Sequence, residues 1–171
     1  MTVLTEILQR YSCRAYQDRA VEQDKLDRIF EAARMAPSAR NMQEWRFVAV
    51  RDPQLRMRMQ VAANNQPFVA QAPVIIAACA VNADYTMRCG QKAGPIDVAI
   101  ALEHIALQAT AEGLGTCWIG SFYPDQVRQI LCIPDNVAVI ELMTLGYPAD
   151  QPRPKARVGI EAIVCYDRWK F

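Results

Sequence analysis

The chain has 171 residues, of which 52% are hydrophobic and 22% charged, and its formal net charge is +1. This length and composition predict one globular domain, residues 1–171, with a sizeable buried core. The near-neutral charge and the lack of a Lys/Arg run argue against a nucleic-acid partner. The start of the sequence lacks a signal-peptide pattern, and no apolar run reaches the roughly 18 residues that span a bilayer, so we expect a cytoplasmic protein with no membrane segment.

The six cysteines and the single histidine give no pattern typical of a metal site or a nucleophile. The cysteines form no C-x-x-C pair, and His104 is not spaced as a zinc partner, so we expect reduced thiols and no bound metal. His104 lies within a helical pattern and has no charged partner nearby in sequence, which favours a structural role. A mechanism built on a Cys/His or Ser/His pair is therefore poorly supported.

Helical and extended patterns alternate through the first half of the chain. Residues 4–10 predict a short opening helix, and Asp24 is the predicted cap of a second helix that Pro37 ends. Residues 45–50 alternate as a strand does, and Asp52-Pro53 opens another helix. The nearly continuous apolar run at 73–81 predicts a strand that is covered on both faces.

The second half predicts a long apolar helix, two strands and an extended tail. Pro95 is the predicted first residue of the helix, which ends before Gly113 and is apolar almost all round, so it is either central or buried by a second subunit. Residues 116–120 predict a strand, 124–131 a helix and 137–145 the last strand, and a Pro-rich tail follows from about 148 to 171. This mixed order predicts an α+β domain of three layers, with helices covering a central mixed, mostly antiparallel sheet.

Polar groups suited to holding a cofactor are concentrated in three segments. Arg10, Ser12 and Arg14 surround the first turn after the opening helix, and Lys155 with Arg157 forms a second basic pair in the tail. Several cationic donors and a hydroxyl suit a phosphate, which carries about −1.5 to −2 charge near neutral pH. A third segment, residues 37–45, offers uncharged hydrogen bonds.

Glycines near 113–120 superficially resemble a dinucleotide-binding loop. They follow a helix and precede a strand, which is the reverse of the order in a Rossmann turn. Gly113 is therefore interpreted as a helix C-cap. A role in binding is expected instead for the turn that ends the strand at 116–120, where Gly120 would let the backbone lie against a flat ring.

Together these segments resemble the nitroreductase family, small FMN-dependent oxidoreductases, over almost the whole chain. The matching motifs are the Arg-x-Ser-x-Arg segment at 10–14, the Pro-Ser segment at 37–45, Gly-Leu-Gly-x-x-Trp-Ile-Gly at 113–120, and Gly-Tyr-Pro with Lys-x-Arg at 146–157. The resemblance implies FMN as cofactor, NAD(P)H as electron donor and a homodimer with shared active sites. In this reading the flavin performs the redox chemistry and the protein binds and orients it, so no catalytic side chain is expected.

The resemblance also implies a role for each matching residue. Arg10, Ser12, Lys155 and Arg157 would contact the FMN phosphate, and Arg14 would lie toward the ribityl chain and the pyrimidine edge. The other expected cofactor-binding residues are Pro37, Ser38, Asn41 and Gln43, typically from the second subunit, and Trp118, Ile119, Gly120 and Ser121. The backbone of Gly120 and Ser121 would face flavin N5, which accepts hydride.

The electron acceptor and the activity itself remain open at this level. An electron-poor small molecule, such as a nitroaromatic or a quinone, is the expected acceptor, and related flavin enzymes carry out reductive dehalogenation. A module that stores or senses FMN without turnover is the main alternative from another class. A flavin-free structural dimer is a more distant one.

Overall fold

A computed structural model describes residues 3–171, so the first two residues of the predicted domain lie outside the described part. The helices and strands of this part are α1 Thr5–Gln9, α2 Gln23–Arg34, β1 Trp45–Val50, α3 Pro53–Ala62, α4 Pro67–Gln71, β2 Val74–Ala80, α5 Ala93–Ala111, β3 Gly115–Ile119, α6 Pro124–Leu131 and β4 Ala138–Gly146. Short 3-10 turns lie at Ala39–Asn41 and Ile160–Ala162. None of the helices within 3–171 is long and apolar enough to cross a membrane.

The four strands form one antiparallel sheet in the order β1-β2-β4-β3. Trp45 lies opposite Ala80 where β1 pairs with β2, and Cys117 lies opposite Thr144 where β3 pairs with β4. The α+β prediction is confirmed. The sequence predicted a mixed, mostly antiparallel sheet, and a mixed sheet requires some parallel pairing. In the described residues the parallel pairing consists of the isolated bridge between Ser12 and Thr116. Because β3 is an edge strand, its outer side is free to receive that segment.

Helices cover both faces of the sheet and give the predicted three layers. Alternate residues of a strand point to opposite faces. Ile76 and Met143 therefore pack with α2 and α5, whereas Ile75 and Leu142 pack with α3, α4 and α6. All seven residues of β2 are buried, so the prediction of a strand covered on both faces is confirmed.

Two predictions about helices need correction, and one helix was not predicted. Asp24 does not cap α2, which begins at Gln23 with Glu22 at the cap position, two residues earlier than predicted. Asp24 instead pairs at 3.1 Å with Arg28 on the next turn. Pro95 is the third residue of α5 and not its first, a position that is tolerated because amides of the first turn have no helical partner. Helix α4 was not predicted, since five residues are too few to show a periodicity.

The segment after α1 runs along the edge of β3 and then beside the start of the tail. The amide of Cys13 donates to the carbonyl of Thr116 at 2.9 Å, and the amide of Ala149 donates to the carbonyl of Ala15 at 2.8 Å. The approach to β3 needs glycine at 115, because a Cβ there would lie 2.9 Å from the Cys13 sulfur. Residues 10–17 therefore lie between the sheet edge and the tail, which brings the two basic segments together.

Candidate functional site

A cavity of about 290 Å³ lies where the segment 10–14 meets the tail. It contains five cationic side chains and one carboxylate. Its lining residues are Arg10, Tyr11, Ser12, Arg14, Asp150, Gln151, Arg153, Pro154, Lys155, Ala156 and Arg157. The four residues expected to contact the phosphate therefore meet in one place together with Arg14, although about 140 residues of sequence separate the two segments.

Arg10 is held at the edge of this cavity by helix α5. Its Nε lies 3.4 Å from the Oε1 of Glu103, and both side chains are partly exposed. The same Nε is buried and has no hydrogen-bond partner within residues 3–171. A buried donor without a partner is costly, so this guanidinium is suited to an additional acceptor.

Positive charge in the cavity exceeds the negative charge beside it. Lys155 donates to the carbonyl oxygens of Ile7, at 3.2 Å, and Leu8, which end α1. Burial lowers the pKa of Lys155, and the nearby guanidinium groups of Arg10 and Arg157 lower it further. An anion bound among these groups would relieve their repulsion, as the dianionic phosphate of FMN would do.

Arg14 extends from the cavity toward helix α4. Its guanidinium carbon lies 6.0 Å from the ring centroid of Phe68, a distance at which a cation is attracted to an aromatic face. The side chain is exposed. Arg14 can therefore reach beyond the phosphate-sized end of the site, as expected for a residue beside the ribityl chain.

The loop at 37–43 lies outside the cavity and has an unusual backbone. Arg40, Asn41 and Gln43 have φ of 53°, 56° and 54°, a left-handed conformation that costs non-glycine residues of order 1–3 kcal/mol each. Ser38 stabilises it by accepting the amide of Gln43 on its Oγ at 3.0 Å. Pro37, Asn41 and Gln43 are exposed. Such strain is typical of ligand clamps.

The turn after β3 contains the other predicted residues, Trp118–Ser121. Trp118 is half-buried against the core, and Ile119 is 2% exposed in the core beneath α3 and α6, so a ligand could reach Ile119 only through its backbone. Gly120 and Ser121 are exposed. The carbonyl of Ser121 accepts Gln66 Nε2 at 3.3 Å, and its Oγ accepts Asn64 Nδ2 at 3.4 Å, so a neighbouring loop holds this turn.

A carboxylate lies beside the same turn. Glu141 of β4 places its Oε1 3.5 Å from the position that a Cβ on Gly120 would occupy. Burial raises the pKa of Glu141. The turn thus combines an exposed backbone with a carboxyl group that is more readily protonated than usual.

The structure does not bring all the predicted residues into one site. Arg10, Ser12, Arg14, Lys155 and Arg157 line the basic cavity, whereas neither the loop at 37–43 nor the turn at 118–121 lines it in the described chain. The helical position of His104 agrees with a structural role, because its Nδ1 lies 3.0 Å from the carbonyl oxygen of Ala32 on α2.

Sequence reasoning missed several residues that shape the site. Asp150, Tyr11 and Arg153 line the cavity, and Asn64 and Gln66 hold the turn at 118–121. The consecutive asparagines at 64–65 are a readable sign of a left-handed turn, and both have φ of 56°. No local sequence pattern indicated a role for Asp150, because its partners are more than 130 residues away in the chain.

Comparison with known proteins agrees with this architecture. The chain matches the model of the nitroreductase family over residues 7–65 and 59–147. It is 32% identical over 193 aligned positions to a protein named NADH dehydrogenase from Thermus thermophilus, with 95% of this chain and 94% of the relative covered. It is 31% identical over 178 positions to a protein named FMN reductase (NAD(P)H) from Bacillus subtilis, with 94% and 72% covered.

Solved structures show the same fold. A nitroreductase family protein from Clostridium difficile superposes with a TM-score of 0.85 at 31% identity, covering 99% of this chain and all of that one. Another, from Clostridium novyi, gives a TM-score of 0.79 at 35% identity, covering 85% and 84%. The matches in sequence and in structure therefore agree with the motifs, and the chain belongs to the nitroreductase family.

Proposed function

We propose that this protein is an FMN-dependent oxidoreductase that takes electrons from NAD(P)H and passes them to a small electron-poor acceptor, such as a nitroaromatic or a quinone. The observation that carries the proposal is the meeting of two basic segments, 10–14 and 153–157, in one cavity at the edge of β3. Family membership and relatives named FMN reductase support the cofactor and the donor.

The residues present fit an FMN phosphate. Arg10, Lys155 and Arg157 would supply charge-assisted hydrogen bonds, with the hydroxyl of Ser12 among them. Arg14 would lie toward the ribityl chain and the pyrimidine edge, where a fixed guanidinium stabilises negative charge without losing a proton. Bound FMN would supply the redox chemistry at N5.

The other two segments would hold the flavin ring. In this proposal Ser38, Asn41 and Gln43 bond flavin or ribityl oxygens, and Pro37 with Trp118 and Ile119 completes the contacts. The backbone of Gly120 and Ser121 faces N5, and the hydrogen bonds from Asn64 and Gln66 keep that turn in place. The family resemblance assigns the loop at 37–43 to the site of a partner subunit, and in the described chain this loop does not line the basic cavity.

The activity is tested by flavin content and anaerobic reduction. Flavin released by denaturation should chromatograph as FMN, and stoichiometric FAD would contradict the proposal. Mixing the flavin-loaded protein with NADH or NADPH without oxygen should bleach the flavin band, and a nitroaromatic or a quinone should then restore it. Bound FMN without bleaching would instead favour a storage or sensing module, and a colourless protein that ignores added FMN would favour a structural dimer.

A homodimer is part of the proposal, because the described chain leaves much apolar surface uncovered. The tail after Arg157 exposes most of its large apolar side chains, with Trp169 at 83% and Tyr166 at 79%. Leu4, which precedes α1, and Leu8 of α1 are also exposed, as is Ile96 of α5. Exposed apolar side chains in this number are typical of an interface, and a second copy presenting the same surfaces would cover them.

Shared sites can be tested with two variants that are each expected to lose activity when FMN is limiting, Arg10→Ala and Asn41→Ala. After they are unfolded and refolded together, about half of the sites in mixed dimers should carry neither change, so about a quarter of total activity should return with random pairing and independent sites. No recovery, despite demonstrated mixed dimers, would mean that each site is built within one chain. Each variant first needs a check of its secondary structure.

The single domain over 1–171 and the cytoplasmic location stay predictions from the sequence. All six cysteines are free thiols in the structure, Cys13, Cys79 and Cys117 being buried. Assay of the FMN-loaded enzyme with nitroaromatics and quinones would define the class of the acceptor.

A further inference from the structure

We propose that Asp150 is a positioning residue for the phosphate end of the cofactor. Its carboxylate would fix the tail segment 153–157 against the segment 10–14, so that the cations of both segments close on one anion. This inference rests on the proposed function, because it assigns Asp150 a part in the same site.

The carboxylate of Asp150 is held entirely by the opposite segment. Its Oδ2 accepts the backbone amide of Arg14 at 2.9 Å. Its Oδ1 accepts the hydroxyl of Tyr11 at 2.9 Å and the thiol of Cys13 at 3.3 Å. The Tyr11 hydroxyl also lies 3.2 Å from the backbone carbonyl oxygen of Asp150. One tail residue thus gathers donors from three positions on the segment that runs along β3.

A carboxylate in an anion site needs an explanation, because it repels the ligand. Here its oxygens are occupied by an amide, a phenol and a thiol. Among the described residues, the cationic side chains of the cavity form no ion pair with Asp150. Apart from Arg10, which lies 3.4 Å from Glu103, the cations of the cavity pair with no carboxylate of the described residues. They are available for an anion, while the Asp150 carboxylate serves as a fixed link between the two segments.

The hydrogen bonds also keep the group ionised. Burial opposes the charged form, but the hydrogen bonds from the Arg14 amide, Tyr11 and Cys13 outweigh it, so the pKa of Asp150 lies below its ordinary value. The link is thus fully charged at neutral pH. Because charge-assisted hydrogen bonds are stronger than neutral ones, an ionised carboxylate is a firmer anchor than an amide would be.

Because Asp150 is close in sequence to two of the cations, fixing its position also restricts theirs. Lys155 and Arg157 follow Asp150 by five and seven residues, and Pro152 and Pro154 lie between. Proline restricts φ to a narrow range, so the intervening chain has few conformations. Fixing Asp150 therefore limits where Lys155 and Arg157 can lie.

The test compares FMN with riboflavin, which has the same ring and ribityl chain but no phosphate. Flavin fluorescence quenching gives Kd for both ligands with the apoprotein. The wild type should bind FMN more tightly than riboflavin, and the ratio of the two Kd values measures the contribution of the phosphate. In Asp150→Ala this ratio should fall by about tenfold, while Kd for riboflavin changes little.

Two further variants sharpen the result. Asp150→Asn keeps the shape of the side chain but presents a donor to at least one of its three partners. It should therefore also lower the ratio of the two Kd values, by a smaller factor than Asp150→Ala. It replaces Asp150→Ala in the test if that variant does not fold. Gln17→Ala is the matched control. Gln17 also ties the tail to the preceding segment, through Pro148 O at 2.9 Å, but lies outside the cavity, so its ratio should equal that of the wild type.

The outcomes separate this inference from the proposed function. If the Asp150 variants weaken both ligands equally, or leave the ratio unchanged, Asp150 does not position the phosphate site, although the site itself stands. If the wild type binds riboflavin as tightly as FMN, the basic cavity is not the phosphate site, and the role of Asp150 is overturned with it.

Discussion

The buried carboxylate of Asp97, on the first turns of α5, accepts the backbone amide of Ala39 on both oxygens at 3.1 Å. Asp97 is 6% exposed and is one of the few buried polar residues in the described chain. This contact joins the strained loop at 37–43 to the most buried helix. The loop's left-handed residues can persist because such neighbours determine its conformation.

Replacing Asp97 should therefore affect both stability and flavin binding. Asp97→Ala leaves the Ala39 amide without its acceptor and should lower the free energy of unfolding by about 1–3 kcal/mol, measured by urea denaturation. Asp97→Asn retains one acceptor and should lose less. FMN affinity should fall in the same order, because the loop would no longer be held. Asp27→Ala, on the exposed face of α2, is the control and should change neither quantity.

The phosphate anchor is tested by Arg10→Ala and Arg157→Ala. Each removes charge-assisted hydrogen bonds to a dianion, so each should weaken FMN binding by about 1.5–3 kcal/mol, or one to two decades in Kd. Arg34→Ala is a suitable control, because Arg34 is exposed on α2 and pairs only with Glu31 among the described residues. Unchanged FMN affinity in both cavity variants would place the phosphate elsewhere.

The tail should be needed for dimerisation but not for the basic cavity. A chain that ends at Arg157 keeps Lys155 and Arg157 and loses the exposed apolar side chains of 158–171. It should be a monomer, by light scattering after size exclusion, at concentrations where the full chain is a dimer. A truncated chain that stays dimeric would show that α1 and α5 suffice for the interface.

The raised pKa of Glu141 should make the free energy of unfolding depend on pH. Burial raises its pKa above 4.5, so the folded state holds the proton more tightly than the unfolded state does. The contribution of Glu141 to stability is therefore fully present below its unfolded pKa and is lost as pH rises through the folded pKa. Glu141→Gln should be more stable than the wild type at about pH 8 and equal to it at about pH 4.

Urea unfolding at both pH values measures this difference. Glu161→Gln, in the exposed tail, is the control and should match the wild type throughout. A wild type that is more stable than Glu141→Gln at the higher pH would mean that the ionised carboxylate is stabilised in the folded state. The comparison is made on the same form, apoprotein or FMN-loaded, because a bound cofactor raises apparent stability.

The sequence by itself determined the elements whose signals are local. The continuous apolar run at 73–81 predicted the buried strand β2, and proline with glycine bounded the long helix closely. The basic segments and the motif at 113–120 identified the family, which the comparisons confirm. These signals are readable because helix ends, strand periodicity and turn residues depend on neighbours a few positions away.

Tertiary structure alone decided what depends on distant partners. The link from Asp150 to Tyr11 and Arg14, the support of Ala39 by Asp97, and the burial of Ile119 all follow from how the sheet edge, helices and tail meet. A residue's own neighbours do not encode such contacts, because the chain must first close loops of many residues to form them. For the same reason the sequence named four of the five cations, all but Arg153, and could not show that they share one cavity.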